Sequence, residues 1–244
     1  MLKVIEHITK AIILAVLAVV CFSCGFDNKS VNGDGNVSTQ NRTITGNFDN
    51  VSASGNIDVI VQQGPQQSVI VEADKNIQEH IKTELKDGEL KITSDVNIRN
   101  ASKKKITVTL PKVQRISAAI GASVINKGIL KTDSLTLESD TGSNLKASIH
   151  TRNAKCETAS GGFIEVLGIS EGVEANASSG STLNAEKLKV VNARAHASSG
   201  ASVTVNPTAN LSADASSGGK VFYIKAPAQI TKKASGGGDV SLKQ

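Results

Sequence analysis

Glu138 and Glu157 stand nineteen residues apart, with Arg115 and Lys155 in the same part of the chain. Two carboxylates held together are the minimum for acid–base hydrolysis of a glycosidic bond, and three or more oxygen ligands would hold calcium. A basic neighbour would accept the proton in cleavage of an acidic polysaccharide. The pair has no third ligand, however, and Arg115 and Lys155 balance its charge equally well, so no catalytic residue is assigned. Other reactive types are as sparse. His7, His80, His150 and His196 are scattered, and no Cys or His pair has the spacing of a metal site. The glycine-rich turns lead into strands, whereas phosphate and dinucleotide loops need a strand before and a helix after. No metal and no cofactor is therefore expected, and the chain does not read as an enzyme.

What must position such residues is a repeat. Near-copies of one stretch run through the second half: ETASGGFIEVL (157–167), NASSGSTLNAE (176–186), HASSGASVTVN (196–206) and DASSGGKVFYI (214–224). With Gly121, Gly142, Gly161, Gly180, Gly200, Gly218 and Gly236 as markers, the spacings are 21, 19, 19, 20, 18 and 18. Self-similarity near twenty residues marks a solenoid in which each repeat is one coil.

Alternation assigns the faces. Seven, five and three residues before each marker stand Leu135, Leu137 and Ser139; Ala154, Cys156 and Thr158; Val173, Ala175 and Ala177; Ala193, Ala195 and Ala197; Leu211, Ala213 and Ala215. Three residues after it stand Val124, Leu145, Ile164, Leu183, Val203 and Val221. Period-two patterning on both sides of a turn predicts two short strands per coil, parallel between coils: an all-β parallel β-solenoid. Cys156 reads as a packed core thiol rather than a nucleophile.

Outward positions then form columns. Four before the marker come Ser117, Glu138, Glu157, Asn176, His196, Asp214 and Lys232; six before come Arg115, Thr136, Lys155, Glu174, Arg194 and Ser212. Arg115, Glu138, Lys155, Glu157, Glu174, Arg194, His196 and Asp214 make a mixed-sign ladder, the candidate binding face. Phe163 and Phe222 face outward and, with Tyr223 near them in register, form a candidate apolar contact. Ser160, Ser179, Ser199, Ser217 and Ser235 precede the markers, and their hydroxyls, about 4.8 Å apart, are expected to bond one another or the corner backbone.

The first folded half, 44–112, is less regular but equally β. NIDVIVQQG and SVIVEA alternate, Asp87-Gly88 signals a hairpin, and KITVTLPKV is a strand ending at Pro111. ADKNIQEHI (73–81) suits a short helix capped by Asp74. This half is expected to start and cap the solenoid, with the repeats over 113–242.

Ahead of it, residues 1–23 read as an export signal, with Lys3, His7 and Lys10 before the twelve-residue apolar run Ala11–Phe22. That run is too short to span a bilayer as a helix. Ser23-Cys24 resembles the lipobox of a bacterial lipoprotein, which implies acylation of Cys24 and a lipid anchor in the membrane, although Cys21 stands where that motif has an aliphatic residue. Residues 24–43, rich in Gly, Asn, Asp and Ser, read as a flexible tether. Once Cys24 is acylated, only Cys156 remains in the mature chain, so no intramolecular disulfide is expected.

The stretches FDNVSASGNIDVIVQQG (48–64), VIVEADKNI (69–77), DGELKI (87–92) and ITVTLPKV (106–113), followed by the Gly-Ala-Ser repeat at 121–123, resemble the head GIN domain of putative auto-transporter adhesins. The resemblance covers about 44–242. It implies a right-handed β-helix-like fold and a cell-envelope location, with the outer membrane expected.

The formal net charge is +5, and loss of 1–23 removes two Lys and one Glu and leaves +4. Nucleic acid is not expected as a partner, because there is no arginine cluster and no aromatic platform for bases. Aromatic content of 2% also weighs against ring-stacking recognition of sugars. The densest basic spot, Lys103–Lys105, reads as a solvated loop tip or protected edge. Asp133-Ser134-Leu135 resembles an O-glycosylation site, with Ser134 as acceptor. The expected function is a lipid-tethered binding module for a glycan or an envelope or host protein; the alternative is a structural protein that self-associates as a homo-oligomer.

Overall fold

The computed structural model describes residues 29–243. The expected export signal (1–23) and the acylation at Cys24 lie outside the described residues. The chain enters as β1 (Ser30–Asn32) and β2 (Val37–Arg42), and then β3 (Asn50–Ser54) and β4 (Asp58–Gln63) lay down a first coil. It next leaves the stack through β5 (Ser68–Asp74), a 3-10 helix (Lys75–His80) and β6 (Ile81–Lys86). A second coil follows: β7 (Glu89–Ser94), β8 (Asn97–Arg99) and β9 (Lys104–Leu110). This coil lies outside the first, β7 parallel to β3 and β9 parallel to β4. β5 and β6 close the end by pairing antiparallel with β9 and β7. The first half therefore starts and caps the solenoid, but its coils do not stack in chain order.

The expected tether over 24–43 is not one from Ser30 onward. β2 pairs antiparallel with β5 from Val37–Asp74 to Arg42–Val69, and β1 pairs with β8. A polar segment can join a sheet without a core of its own, because an edge strand needs only its backbone groups matched.

β10 (Arg115–Ala119) and β11 (Ser123–Lys127) return to the free side of β3 and β4. From there the coils stack in order: β12 (Leu130–Ser139), β13 (Asn144–Thr158), β14 (Phe163–Ala177), β15 (Thr182–Ala197) and β16 (Ser202–Ala215), then β17 (Lys220–Tyr223), β18 (Gln229–Ala234) and β19 (Asp239–Leu242). All these pairings are parallel, and the whole makes a β-solenoid of about seven turns.

Every inward position predicted from alternation in the repeats is buried. One inner column runs Leu90, Val51, Ile116, Leu137, Cys156, Ala175, Ala195, Ala213. Its side chains shrink from branched aliphatics near the cap to alanine near the far end.

The repeat is closed by its corner. In each coil from β10 onward two consecutive residues are left-handed, for example Ser160 (φ 48°) and Gly161 (φ 72°), and the N–H of Gly162 bonds the carbonyl of Ala159 at 2.8 Å. This is the type I′ arrangement, whose second position glycine fills without a Cβ clash. Corners are joined to one another by backbone: Gly161 N–H donates to Ser179 O at 3.1 Å, and Gly180 N–H to Ser199 O at 3.0 Å. The expected hydroxyl column at the corner serines does not form. Ile120, Thr141 and Gly236 occupy the same position, and the Ser160, Ser179, Ser199 and Ser217 hydroxyls make no hydrogen bond among the described residues. The bonding hydroxyls lie inside instead: Ser143 donates to Ala118 O, Thr158 to Ser139 O and Ser181 to Thr158 O, at 2.7, 2.9 and 2.9 Å.

The last marker is also displaced. Gly236 takes the serine place and Gly237 the glycine place, so Asp214 pairs with Lys233 and Lys232 pairs with Ala213. Lys232 thus stands at an inward position on the terminal coil. It reaches across the open core end, its Nζ 2.7 Å from the Tyr223 hydroxyl and 4.6 Å from the ring centre. An inward charge on a terminal strand blocks strand addition, which β18, exposed along its whole length, would otherwise invite.

At the opposite end Asp74 is fully buried, and its carboxylate does not cap the short helix. It accepts the N–H groups of Gly35, Ser102 and Lys103 at 3.0, 3.0 and 2.9 Å, which ties the entering segment to the cap. Gly33 allows this approach: a Cβ there would lie 2.1 Å from Asp74 Oδ2. Burial acts against the charge, but the three N–H donors outweigh it and hold the carboxyl below its ordinary 3.8.

Two outcomes follow from these ends. Lys232→Val is expected to raise the mass seen by light scattering at concentrations where the unchanged chain shows no such rise; equal masses would remove the blocking role. Asp74→Ala is expected to lower unfolding free energy by about 2 kcal/mol at neutral pH, from buried donors left unpaired. With the folded value below the unfolded one, the Asp74 contribution is present above the unfolded value and lost as pH falls through the folded one. The difference between the two proteins should therefore narrow in acid urea titrations, and a constant difference would point to packing alone.

Candidate functional site

The last six residues of each coil before the corner form one sheet face. Strand pairing sets Arg115, Thr136, Lys155, Glu174, Arg194 and Ser212 in one column and Ser117, Glu138, Glu157, Asn176, His196 and Asp214 in the next. All eight residues of the predicted ladder thus share a face, with coils about 4.8 Å apart.

Four of the eight charged residues on this face pair with one another. Arg115 donates to Glu138 Oε2 at 2.5 Å, Lys155 Nζ lies 3.0 Å from Glu157 Oε1, and Asn176 donates to Glu174 Oε1 at 3.1 Å. The Glu138 hydrogen bond raises the Arg115 pKa, and the Glu157 hydrogen bond raises that of Lys155. The stacked carboxylates Glu138 and Glu157 are each neutralised by a different cation, and among the described residues no three His, Cys, Asp or Glu side chains converge as a metal site. Glu174, Arg194, His196 and Asp214 form no salt bridge among the described residues.

A third column, missed from sequence, stands eight residues before the corner glycine: Ser134, Asn153, Gly172, Asn192, Asn210 and Gln229. Asn210 donates its amide to Asn192 Oδ1 at 2.7 Å. The signal was present, since the same offset recurs from Gly161, Gly200 and Gly218, but it falls just outside the alternating stretch. Between this column and the Lys155 column lies a groove of about 530 Å³ along the solenoid axis. Its floor is Ala154, Val173, Ala193 and Leu211. A second hollow of about 450 Å³, lined by Glu138, Glu157, Asn176 and His196, lies toward the corner.

Two other expectations fail. Phe163 and Phe222 both lie half-buried on outward positions, but they are in different columns and three coils apart: Phe163 aligns with Thr182, Ser202 and Lys220, and Phe222 with Thr204. They form no common apolar contact, and Lys146 Nζ sits 6.0 Å from the Phe163 ring centre. The basic triplet is neither a loop tip nor an edge: Lys104 and Lys105 open β9, which is paired by β4 on one side and β5 on the other, and Lys103 and Lys105 both pair with Glu72. Ser134 is exposed at the head of the amide column.

Cys156 is wholly buried, and desolvation, with the Glu157 charge adding, pushes its thiol up to about 12. The peptide containing Cys156 is expected to resist iodoacetamide in native protein at mildly alkaline pH and to be alkylated after unfolding in urea, read by mass spectrometry. Fast native labelling would mean the core opens there.

Solved structures share this fold. A putative adhesin from Bacteroides fragilis is 20% identical, with a TM-score of 0.79 over 87% of this chain and 100% of that one. A putative lipid binding protein from Parabacteroides distasonis is 21% identical, with a TM-score of 0.69 over 88% and 100%. A putative adhesin from Parabacteroides merdae is 19% identical, with a TM-score of 0.64 over 88% and 100%. No curated protein matches the sequence. A family model, "Putative auto-transporter adhesin, head GIN domain", matches residues 47–227.

Proposed function

The chain belongs to the head GIN domain family of putative auto-transporter adhesins, and from that premise we propose that it is a non-catalytic binding module of the bacterial cell envelope. The observation that carries the reading is the polar face itself: charged and amide side chains held in straight columns over six coils by continuous strand pairing. Such a face offers many weak, equally spaced contacts, which suits attachment to an extended surface. Neutralisation of Glu138 by Arg115 and of Glu157 by Lys155 weighs against acid–base chemistry at this pair. Self-association through Phe163 and Phe222 loses its support, because the two rings do not meet.

In this reading the chain is exported and held by lipid on Cys24, in the outer membrane. Only five residues separate Cys24 from Ser30, the start of β1, and they span at most about 20 Å. The capped end, where β1 pairs with β8, then sits beside the bilayer, and the Lys232 end lies at the other end of the solenoid axis. This replaces the longer reach that a tether to residue 43 would have given.

Protease treatment of intact cells tests the assignment. Digestion of the protein on intact cells, together with release of a Cys24→Ala variant from the membrane, is expected. Protection until the outer membrane is opened would remove the surface role, and retention of Cys24→Ala would remove the lipid anchor.

A further inference from the structure

We propose that the groove between the amide column and the Lys155 column is a binding site for a linear, carboxylated polysaccharide lying along the solenoid axis. The inference rests on the binding-module reading and names its ligand class. Three features of the groove support it, the first being its period. Asn153, Asn192, Asn210 and Gln229 offer amides, each both donor and acceptor, on a column whose step is the coil spacing of about 4.8 Å. That step is comparable with the length of one pyranose residue, so a sugar chain meets equivalent groups coil after coil. An extended peptide rises about 3.4 Å per residue and falls out of step with the column within a few residues.

The second feature is the floor. Ala154, Val173, Ala193 and Leu211 are 4%, 5%, 6% and 3% exposed, a strip of small aliphatic surface at the base of a polar channel. It suits the C–H face of a sugar ring without needing an aromatic platform. At Gly172 the column has a gap, since a Cβ there would come within 3.2 Å of the Asn153 amide oxygen.

The third feature is charge. Lys155 is paired with Glu157, and Glu174 accepts the Asn176 amide. Arg194, exposed midway along the groove, makes no salt bridge among the described residues. Glu174, one coil away, also makes no salt bridge, so Arg194 is the groove's cation without a paired carboxylate among the described residues; a guanidinium binds a carboxylate in two parallel hydrogen bonds, and Arg194 thereby selects an acidic unit.

The test uses the full-length protein in detergent, with polygalacturonate and alginate as probes in affinity electrophoresis and titration calorimetry. Binding of at least one polyuronate is expected, weakened about tenfold by Arg194→Gln, about tenfold by methyl esterification of the polymer, and severalfold by Asn192→Ala or Asn210→Ala. Lys146→Gln, outside the groove, should bind as the unchanged protein does. These positions lie on the surface, and thermal unfolding by circular dichroism shows that each variant keeps the fold. The proposal is overturned if neither polymer binds, if Arg194→Gln binds unchanged, or if polyglutamate competes as well as the polyuronates. Adhesion of intact cells that survives Arg194→Gln and added polyuronate would overturn the groove while leaving the binding-module reading standing.

Discussion

The stacked corner sets everything else. Two left-handed residues in succession reverse the chain direction tightly enough that the next strand starts in register, and the glycine N–H then bonds the neighbouring corner. A left-handed non-glycine residue costs about 1–2 kcal/mol. Ile120, Thr141, Ser160, Ser179, Ser199 and Ser217 all accept this conformation. The cost is offset because each turn satisfies its own backbone and also the backbone of the coil beside it. Since every corner repeats the same bonds, residues at equal offsets from it are forced into straight columns, inside and out. The surface ladder and the amide column are consequences of corner geometry as much as of their own chemistry.

A stack built this way has two ends that its own repeat cannot finish, and the chain treats them differently. At the first end the order of coils is broken so that β5 and β6 can turn antiparallel and cover the outer coil, and Asp74 fastens the entering segment with three backbone donors. At the second end there is no covering element among the described residues. One lysine is turned inward over a tyrosine instead. The alanine-rich core approaching that end is thin enough for a single long side chain to span it.

The solenoid, its coil length, its inward columns and its eight-residue polar face were legible in the sequence, because alternation and a fixed glycine interval record the same geometry twice. What escaped was whatever departs from the period. The serine hydroxyls were assigned a bonding role that backbone groups perform, since a column of identical residues does not say which of its atoms are used. Lys232 was placed outward because a triple glycine hides a shift of one residue. β2 looked like a tether because composition reports the ability to make a core, and an edge strand needs none. The amide column lay one step beyond the alternating stretch, where the chain bends and the period-two signal ends.

The polar face is stabilised weakly by its own charges, and this bears on function. An exposed ion pair contributes about 0–1 kcal/mol, so Arg115–Glu138 and Lys155–Glu157 add little to the fold. Rearranging them to meet a partner is correspondingly cheap. The backbone beneath is held by continuous ladders and does not need those pairs, so the face can change its side-chain bonding without changing its shape. A rigid column of individually weak contacts gains affinity from number rather than from any one pocket. In the binding-module reading its specificity comes from the coil step and from the groups on this face that make no salt bridge among the described residues, Glu174, Arg194, His196 and Asp214.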